Sequence, residues 1–512
     1  MGQNFIGCDR GQVLLLPPSL SEWLPEDHLV WTVLGAVDQM DLASFYGAYR
    51  ANGQGRAAYD PAMMVALLLY AYCIGTRSSR GIERACRGDV AFKVITAMAI
   101  PDHSTIAEFR RRHETALGLL FVEVLSLCRE AGLVQVGVVA IDGTKIRANA
   151  SRDRNHSYES IVAEILAEAE RVDHEEDQRL GESRGDELPE QLRTREGRRA
   201  ALKAAREKLQ AERRAQQNAG EPVIKEVALE LDPERFVTRP EGRRAWLREG
   251  RRVLDAQRER DAAPIPGPRD ERLAEAKRRL DQELAVEHAA NRCYEAYRAS
   301  GRMRNGRRFG APPKPIELPL VPEGTINTTD PDSRLMHTQG RFGVQSYNAQ
   351  AAVTDGQIIV AAEVTTDSPD FGHLEPTARA MLRDLERAGV TERPATAVAD
   401  AGYWHKQQIE NIVSDGIQVL VPPDSSLAAA SRTGWDGGMY AFMRRVLTSP
   451  HGQALYRARK QIEPVFGQIK HNRGCHRFKR RGRAAAWSEW RLITATHNLL
   501  KLHSHWIQPA TA

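Results

Sequence analysis

Val134-Gln135-Val136-Gly137-Val138-Val139-Ala140-Ile141-Asp142-Gly143 is rich in β-branched residues, as a strand buried on both faces requires, and it ends on an acid. A second β region spans residues 344–364. There Ser346-Tyr347-Asn348-Ala349-Gln350-Ala351-Ala352-Val353 and Gln357-Ile358-Ile359-Val360-Ala361 flank Asp355-Gly356, a hairpin signal. The pattern next predicts a helix over 374–388, a strand over 395–399 ending at Asp400, a helix over 406–414 and a strand over 417–421 stopped by Pro422-Pro423. Strand, hairpin, helix, strand, helix, strand and helix in that order predict a mixed α/β sheet flanked by helices.

Upstream, residues 20–133 carry apolar residues at three- and four-residue spacings and no convincing strand, which predicts an all-α domain over 1–133. Arg77-Ser78-Ser79-Arg80 opens one helix. Asp102-His103-Ser104-Thr105 leads into another, where Thr105 and Glu108 fit a capping box ahead of Arg110, Arg111, Arg112 and His113. A helix-turn-helix reader of DNA and an amphipathic helix with solvated arginines both fit this pattern. The sheet is assigned to 134–155 and 330–512. Between its parts, 156–329 is Ala-, Glu- and Arg-rich and poor in β-branched residues, so it reads as a charged helical insertion. Leu202 and Leu209, and Leu273, Leu280 and Leu284, suit coiled-coil helices, and disorder over part of the insert fits the same composition. Pro264, Pro266 and Pro268 break it, and Pro312, Pro313, Pro315 and Pro319 form its exit.

The chain has 512 residues, 42% of them hydrophobic and 27% charged, enough for about three domains. The apolar run 62–75 falls short of the ~20 residues that span a bilayer, no signal-peptide pattern precedes it, and Ile6 stands where a myristoylation signal needs Ser or Thr. A cytoplasmic, nucleoid-associated protein with no membrane partner is expected. Cys8, Cys73, Cys86, Cys128, Cys293 and Cys475 are scattered, which argues against disulfides; His471, Cys475, His476 and His497 lack the paired spacing of a zinc site. Gly181-Glu182-Ser183-Arg184-Gly185 resembles a nucleophile elbow, but no strand leads into it, and with no Walker sequence no nucleotide cofactor is expected. The net charge of +5 is uneven. Residues 440–512 hold 14 lysines and arginines against Glu463 and Glu489, a net of +12 that leaves −7 for the rest, so a polyanion partner is expected at the C-terminal part.

Three acids carry the candidate chemistry: Asp142 and Asp400 at strand ends, and Glu463 in a helical stretch. Ligands of open α/β sheets gather at the carboxyl ends of strands, and carboxylates converging there suit Mg²⁺, which keeps waters available for a phosphate substrate. Two such ions serve in-line displacement at a phosphodiester. Tyr456, Arg459, Glu463 and Lys470 are spaced 3, 4 and 7 apart, so on one regular helix they share a face that offers an acid for metal and cations for phosphate. Pro464 lacks the amide that would donate to the Lys460 carbonyl, so either the helix kinks there, at a cost of about 3 kcal/mol, or a new one starts. The basic stretch 470–483, with Arg473, Arg477, Lys479, Arg480 and Arg481, reads as a loop lying on DNA. Asp370 reads as a helix cap or as a residue supporting the acids from behind, with capping the safer reading.

Tyr456-x-x-Arg459-x-x-x-Glu463-x-x-x-x-x-x-Lys470, with Ile141-Asp142-Gly143-Thr144 and Ala399-Asp400-Ala401-Gly402-Tyr403, resembles the YREK-signature group of insertion-sequence DDE transposases. Asp102-His103-Ser104-Thr105-Ile106, residues 343–353, Glu463-Pro464-Val465-Phe466-Gly467, Arg480-Arg481-Gly482 and His497-Asn498-Leu499 are similar to stretches of that family, in the same order. The resemblance implies an RNase H-like core in which Asp142, Asp400 and Glu463 bind two Mg²⁺ ions, with Mn²⁺ able to substitute. It implies that water and then a DNA 3′-hydroxyl attack phosphodiesters, and that Tyr456, Arg459 and Lys470 contact DNA near the cleaved end. The implied partners are double-stranded DNA, as terminal inverted repeats and target, and further copies of the chain, because two element ends must be joined together. An RNase H-like nuclease without strand transfer and a catalytically inactive DNA-binding relative are the competing readings.

Overall fold

The computed structural model describes residues 5–7, 9, 11–12, 19–50, 57–180, 243–260, 265–300, 303–304, 307–308, 314–337, 343–423 and 437–507. By packing, the chain divides into two units, Met1–Ala150 with Asp332–Ala512, and Ser151–Pro331.

The first unit opens with helices α1 (Leu29–Gln39), α2 (Pro61–Cys73), α3 (Ser79–Gly88), α4 (Val90–Thr96), α5 (His103–Arg112) and α6 (Glu114–Glu130). The apolar run 62–75 is α2. It starts with Pro61 in the first turn and Asp60 as cap, and it is buried all round, as befits a helix without a polar face. Among the described residues no helix is long and apolar enough to cross a membrane. The cap of α5 is Asp102, whose carboxylate accepts from the amides of Ser104 and Thr105; the expected Thr105–Glu108 box does not form, because Asp102 already takes those donors.

A six-stranded sheet follows: β1 (Val138–Arg147), β2 (Arg334–Met336), β3 (Val344–Thr354), β4 (Ile359–Thr365), β5 (Thr396–Ala399) and β6 (Gln418–Leu420). Its order is β4-β3-β1-β5-β6, with β2 paired to β3. β3 is antiparallel to both β1 and β4, while β5 is parallel to both β1 and β6. This is the expected RNase H-like topology, with the Asp355-Gly356 hairpin joining β3 to β4. Helices α7 (Leu374–Arg387) and α8 (Lys406–Ser414) lie between strands as the periodicity predicts.

One strand differs from its expected bounds. β1 begins at Val138 and runs through Asp142 to Arg147, so the acid lies mid-strand, opposite Ala351. The antiparallel partner β3 extends the strand across Thr144-Lys145-Ile146-Arg147, a mixed sequence with little strand signal of its own.

The C-terminal helix α9 (Arg483–Ile507) packs on α2, α6 and β4. The N-terminal helices and the sheet consequently share one hydrophobic core, in which residues such as Leu68, Phe121, Val353 and Leu499 are fully buried. The boundary expected at residue 133 is not a boundary of packing, since α9 brings its own apolar face to both sides at once.

The second unit contains helices Tyr158–Leu180, Arg243–Arg260 and Arg269–Ser300, and a two-stranded pair between Asn155–Ser157 and Thr325–Asn327. Leu273, Leu280 and Leu284 are buried along the last helix; Leu273 and Leu280 pack with Tyr158 and Ile161, while Ala285, Val286 and Ala289 pack with Leu254. Leu202, Leu209, Cys8 and the segment 181–185 lie outside the described residues. The remaining cysteines, Cys73, Cys86, Cys128, Cys293 and Cys475, are buried and form no disulfide among the described residues.

Candidate active site

The parallel register of β5 on β1 runs from Thr396 opposite Val138 to Ala399 opposite Ile141, and there β5 stops. The next residues on the neighbouring strands are Asp142 and Asp400, so the sheet itself sets these carboxylates side by side. Gly143 N–H donates to Asp142 Oδ1 at 2.8 Å, and Gly402 N–H donates to Asp400 Oδ1 at 2.8 Å. Burial first, and then the negative charge of Asp400, push the Asp142 carboxyl up to about 7, against the opposing pull of the Gly143 amide and Arg459. Two anions held this close call for a cation, and hard carboxylate oxygens suit a divalent one.

The third acid comes from an irregular helical stretch. It passes from Pro450–Tyr456 (α) through Arg457–Gln461 (3₁₀) and Ile462–Gly467 (α) to a π turn, Gln468–Asn472. The expected regular face is therefore wound unevenly. Pro464 falls in the first turn of Ile462–Gly467, where a missing N–H costs little, and the tight 3₁₀ turn ahead of it makes room for the ring.

The four signature residues still gather by the aspartates. The Tyr456 hydroxyl donates to the Ala399 carbonyl at 3.3 Å, tying the helix to the end of β5, and burial pushes it up to about 12. The Arg459 guanidinium bridges Asp142 Oδ2 at 3.6 Å and Glu463 Oε1 at 3.3 Å. Lys470 is half-buried, and burial, with the charge of Lys145 nearby, lowers its pKa against the attraction of Asp142. Glu463 has a side chain 60% exposed and turns to Arg459. Among the described residues no three His, Cys, Asp or Glu side chains are drawn together tightly enough to hold an ion. What converges is Asp142 with Asp400, with Glu463 one guanidinium away.

Lys145, Asn348 and Gln350 escaped sequence reasoning, and Asp370 takes the less favoured of its two expected roles. Asp370 does not cap the helix that follows: α7 has His373 at its N-cap with no side-chain bond, while Asp370 Oδ1 accepts from Asn348 Nδ2 at 2.8 Å and Gln350 Nε2 at 2.9 Å and pairs with Lys145 Nζ at 3.6 Å. The Tyr403 hydroxyl donates to Gln350 Oε1, which links the turn after Asp400 to the same network. The sequence signal was Gly143. A Cβ there would overlap Asp370 Oδ1 and Gln350 Nε2 and lie 2.8 Å from Asn348 Oδ1. Gly143→Ala is accordingly expected to cost about 1–3 kcal/mol in urea unfolding and to displace Asp370, because the side chains it meets are locked by hydrogen bonds. An unchanged midpoint would show that the network yields freely.

The basic segment is only partly outward. Arg473 is 6% exposed and donates to Thr496 Oγ1 at 2.7 Å and the Ile493 carbonyl at 3.1 Å, so its expected DNA contact is replaced by a core role: Gly474 and Cys475 turn the chain inward there. Arg480 pairs with Glu114. Arg477, Lys479 and Arg481 are exposed, and the guanidiniums of Arg477 and Arg481 brace on Ala148 and Asn149 carbonyls. On α5, Arg110 is buried over the Tyr72 ring and His113 is buried, its pKa lowered to about 4 by desolvation. Arg111 and Arg112 face out, paired with Glu108.

Residues 18–112 match the family model described as Transposase domain (DUF772), and residues 322–499 match that described as Transposase DDE domain. The second match contains Asp400, Glu463 and the whole 456–470 stretch; Asp142 lies upstream of it, across the insert. No curated protein and no solved structure matches the chain.

Proposed function

We propose that this chain, which belongs to the DDE transposases of insertion sequences, binds the terminal inverted repeats of its element and cuts and joins DNA strands through Asp142, Asp400 and Glu463. Membership makes it a transposase, of a family that binds DNA and generally depends on divalent metal. The finer reading rests above all on one observation: the β1–β5 register that ends at Ile141 and Ala399 and leaves Asp142 and Asp400 adjacent.

In this reading Asp142, Asp400 and Glu463 would hold Mg²⁺, or Mn²⁺ in its place, with Glu463 exchanging its pairing with Arg459 for the ion. Two bound ions supply activation of the attacking oxygen and stabilisation of the leaving one. Water attacks the phosphodiester at the element end and the P–O3′ bond breaks, leaving a 3′-hydroxyl. That hydroxyl then attacks a target phosphodiester and displaces its O3′. Arg459 and Lys470 offer cations to the flanking phosphates, and Tyr456 steadies the end of β5 from which Asp400 projects. Exposed Arg477, Lys479 and Arg481 extend the contact along the duplex backbone. Because two ends are joined, the working form is a homo-oligomer, and we place it at the nucleoid.

The test is incubation of the protein and Mg²⁺ or Mn²⁺ with a labelled duplex carrying the sequence that flanks its own gene. Nicks at the element end with joined products are expected. Cleavage without joining would leave a nuclease, and binding with no cleavage would leave an inactive DNA-binding relative.

Metal affinity should also follow pH. Asp142 sits near 7, so below that pH an incoming ion must expel a proton, and apparent Mn²⁺ affinity should fall about tenfold per unit below about 7 and flatten above it. The linked stability has the same origin and a definite sign. A carboxyl raised above its unfolded value of about 3.9 favours the fold below about pH 4 and loses that contribution as pH rises through about 7 in metal-free protein. Calorimetric Mn²⁺ titrations on either side of neutrality check this, and a pH-independent affinity would refute it.

A further inference from the structure

We infer that Lys145 is an additional phosphate-contacting cation of the transposase site, held in place by Asp370 acting as a positioning residue. The inference rests on the transposase reading above, and neither residue belongs to the signature that suggested it. Lys145 lies on β1, three residues beyond Asp142, opposite Asn348 on β3. Its side chain is 18% exposed, so the ammonium is neither a free surface charge nor sealed in the core. It is close enough to feel the charges of Asp142, Asp370 and Asp400, and Lys470 feels it in turn.

A long lysine side chain has many rotamers, and something must select one. Asp370 does so from a rigid seat. Its Oδ1 takes hydrogen bonds from Asn348 and Gln350, both essentially inaccessible to solvent, and Gln350 is fixed in turn by the Tyr403 hydroxyl. The absence of a Cβ at Gly143 lets that carboxylate approach the strand. The network is costly in itself, since Asn348 Oδ1 is buried with no partner. A purely structural role would be served as well by apolar residues at 348 and 350, whereas a cation held near the acids needs a polar anchor. Lys145 and Lys470 then form a pair of ammoniums beside Asp142, suited to the non-bridging oxygens of the reacting phosphate or its neighbour.

The test is the salt dependence of binding to a fluorescein-labelled duplex carrying the flanking sequence of its gene, together with cleavage of that duplex in Mg²⁺. Lys145→Ala is expected to reduce the log–log salt slope by about 0.9, the signature of one lost phosphate contact, and to slow cleavage by about a hundredfold. Lys145→Arg should keep the slope. Asp370→Asn should also reduce it, although it removes a negative charge, and the double variant should lose no more than Lys145→Ala alone. An unchanged slope in Lys145→Ala, tighter binding by Asp370→Asn, or additive losses in the double variant would each overturn the inference. Binding needs no chemistry, so the two ideas fail separately. Expected slopes with no cleavage by the wild type would sink the strand-transfer reading alone, and normal cleavage and joining with unaltered slopes would sink this one alone.

Discussion

Asparagine in place of Asp142 or Asp400 is expected to abolish metal-dependent strand cleavage, by roughly a thousandfold or more, without unfolding the protein. The size follows from the metal-holding role proposed for the carboxylates: metal ions contribute several kcal/mol of transition-state stabilisation, and about 4 kcal/mol at about 1.4 per tenfold is three orders of magnitude. The fold should survive because the two acids are a burden to it. Asp142 is driven toward its neutral form by burial and by Asp400, so an uncharged isostere removes repulsion. Metal-free Asp142→Asn should therefore melt at or above the wild-type temperature while binding Mn²⁺ far more weakly. The measurement pairs single-turnover cleavage with thermal unfolding in chelator. Retained cleavage in either variant would move the site elsewhere, and a large drop in melting temperature would make the loss structural.

The largest expected stability effect lies away from the acids. Glu489 on α9 accepts from Arg77 Nη1 at 2.9 Å and from the backbone amides of Lys479 and Arg480 at 2.8 and 3.0 Å, while Arg77 Nη2 donates to the Gly474 carbonyl at 3.0 Å. The two side chains are 2% and 0% exposed. Removing the carboxylate strands a buried guanidinium and two amides, so Glu489→Ala should cost about 3–5 kcal/mol in urea unfolding. It should also loosen the basic segment that these bonds pin, and weaken DNA binding through Lys479 and its neighbours. Leucine at 489 with methionine at Arg77 removes both charges and should recover most of the stability, but not the fixed loop. A single substitution within about 1 kcal/mol of wild type would mean that water reaches the pair.

Much of the fold could be read along the chain because its signals are local. The helix over 406–414, the Asp355-Gly356 hairpin and the strand before Asp400 are each specified by periodicity, turn chemistry or a β-branched run within a dozen residues. The spacing of Tyr456, Arg459, Glu463 and Lys470 is likewise local, so the candidate acids and cations could be named before any tertiary contact was known.

What the sequence by itself determined was therefore the order of elements, the RNase H-like class and the identity of the acidic and basic residues. Tertiary structure decided which of them meet. β1 runs on to Arg147 because a partner 200 residues away along the chain pairs with it, and that pairing turns Asp370 from an expected cap into the anchor of Lys145. Arg473, Arg110 and His113 look like surface cations in a linear string, yet the residues that bury them come from α9, α2 and the helices around them. The physical reason is common to all these cases. Secondary structure follows from interactions within one or two turns, whereas burial, ion pairing and a shifted pKa depend on groups the backbone brings together from distant positions, which a one-dimensional pattern does not encode.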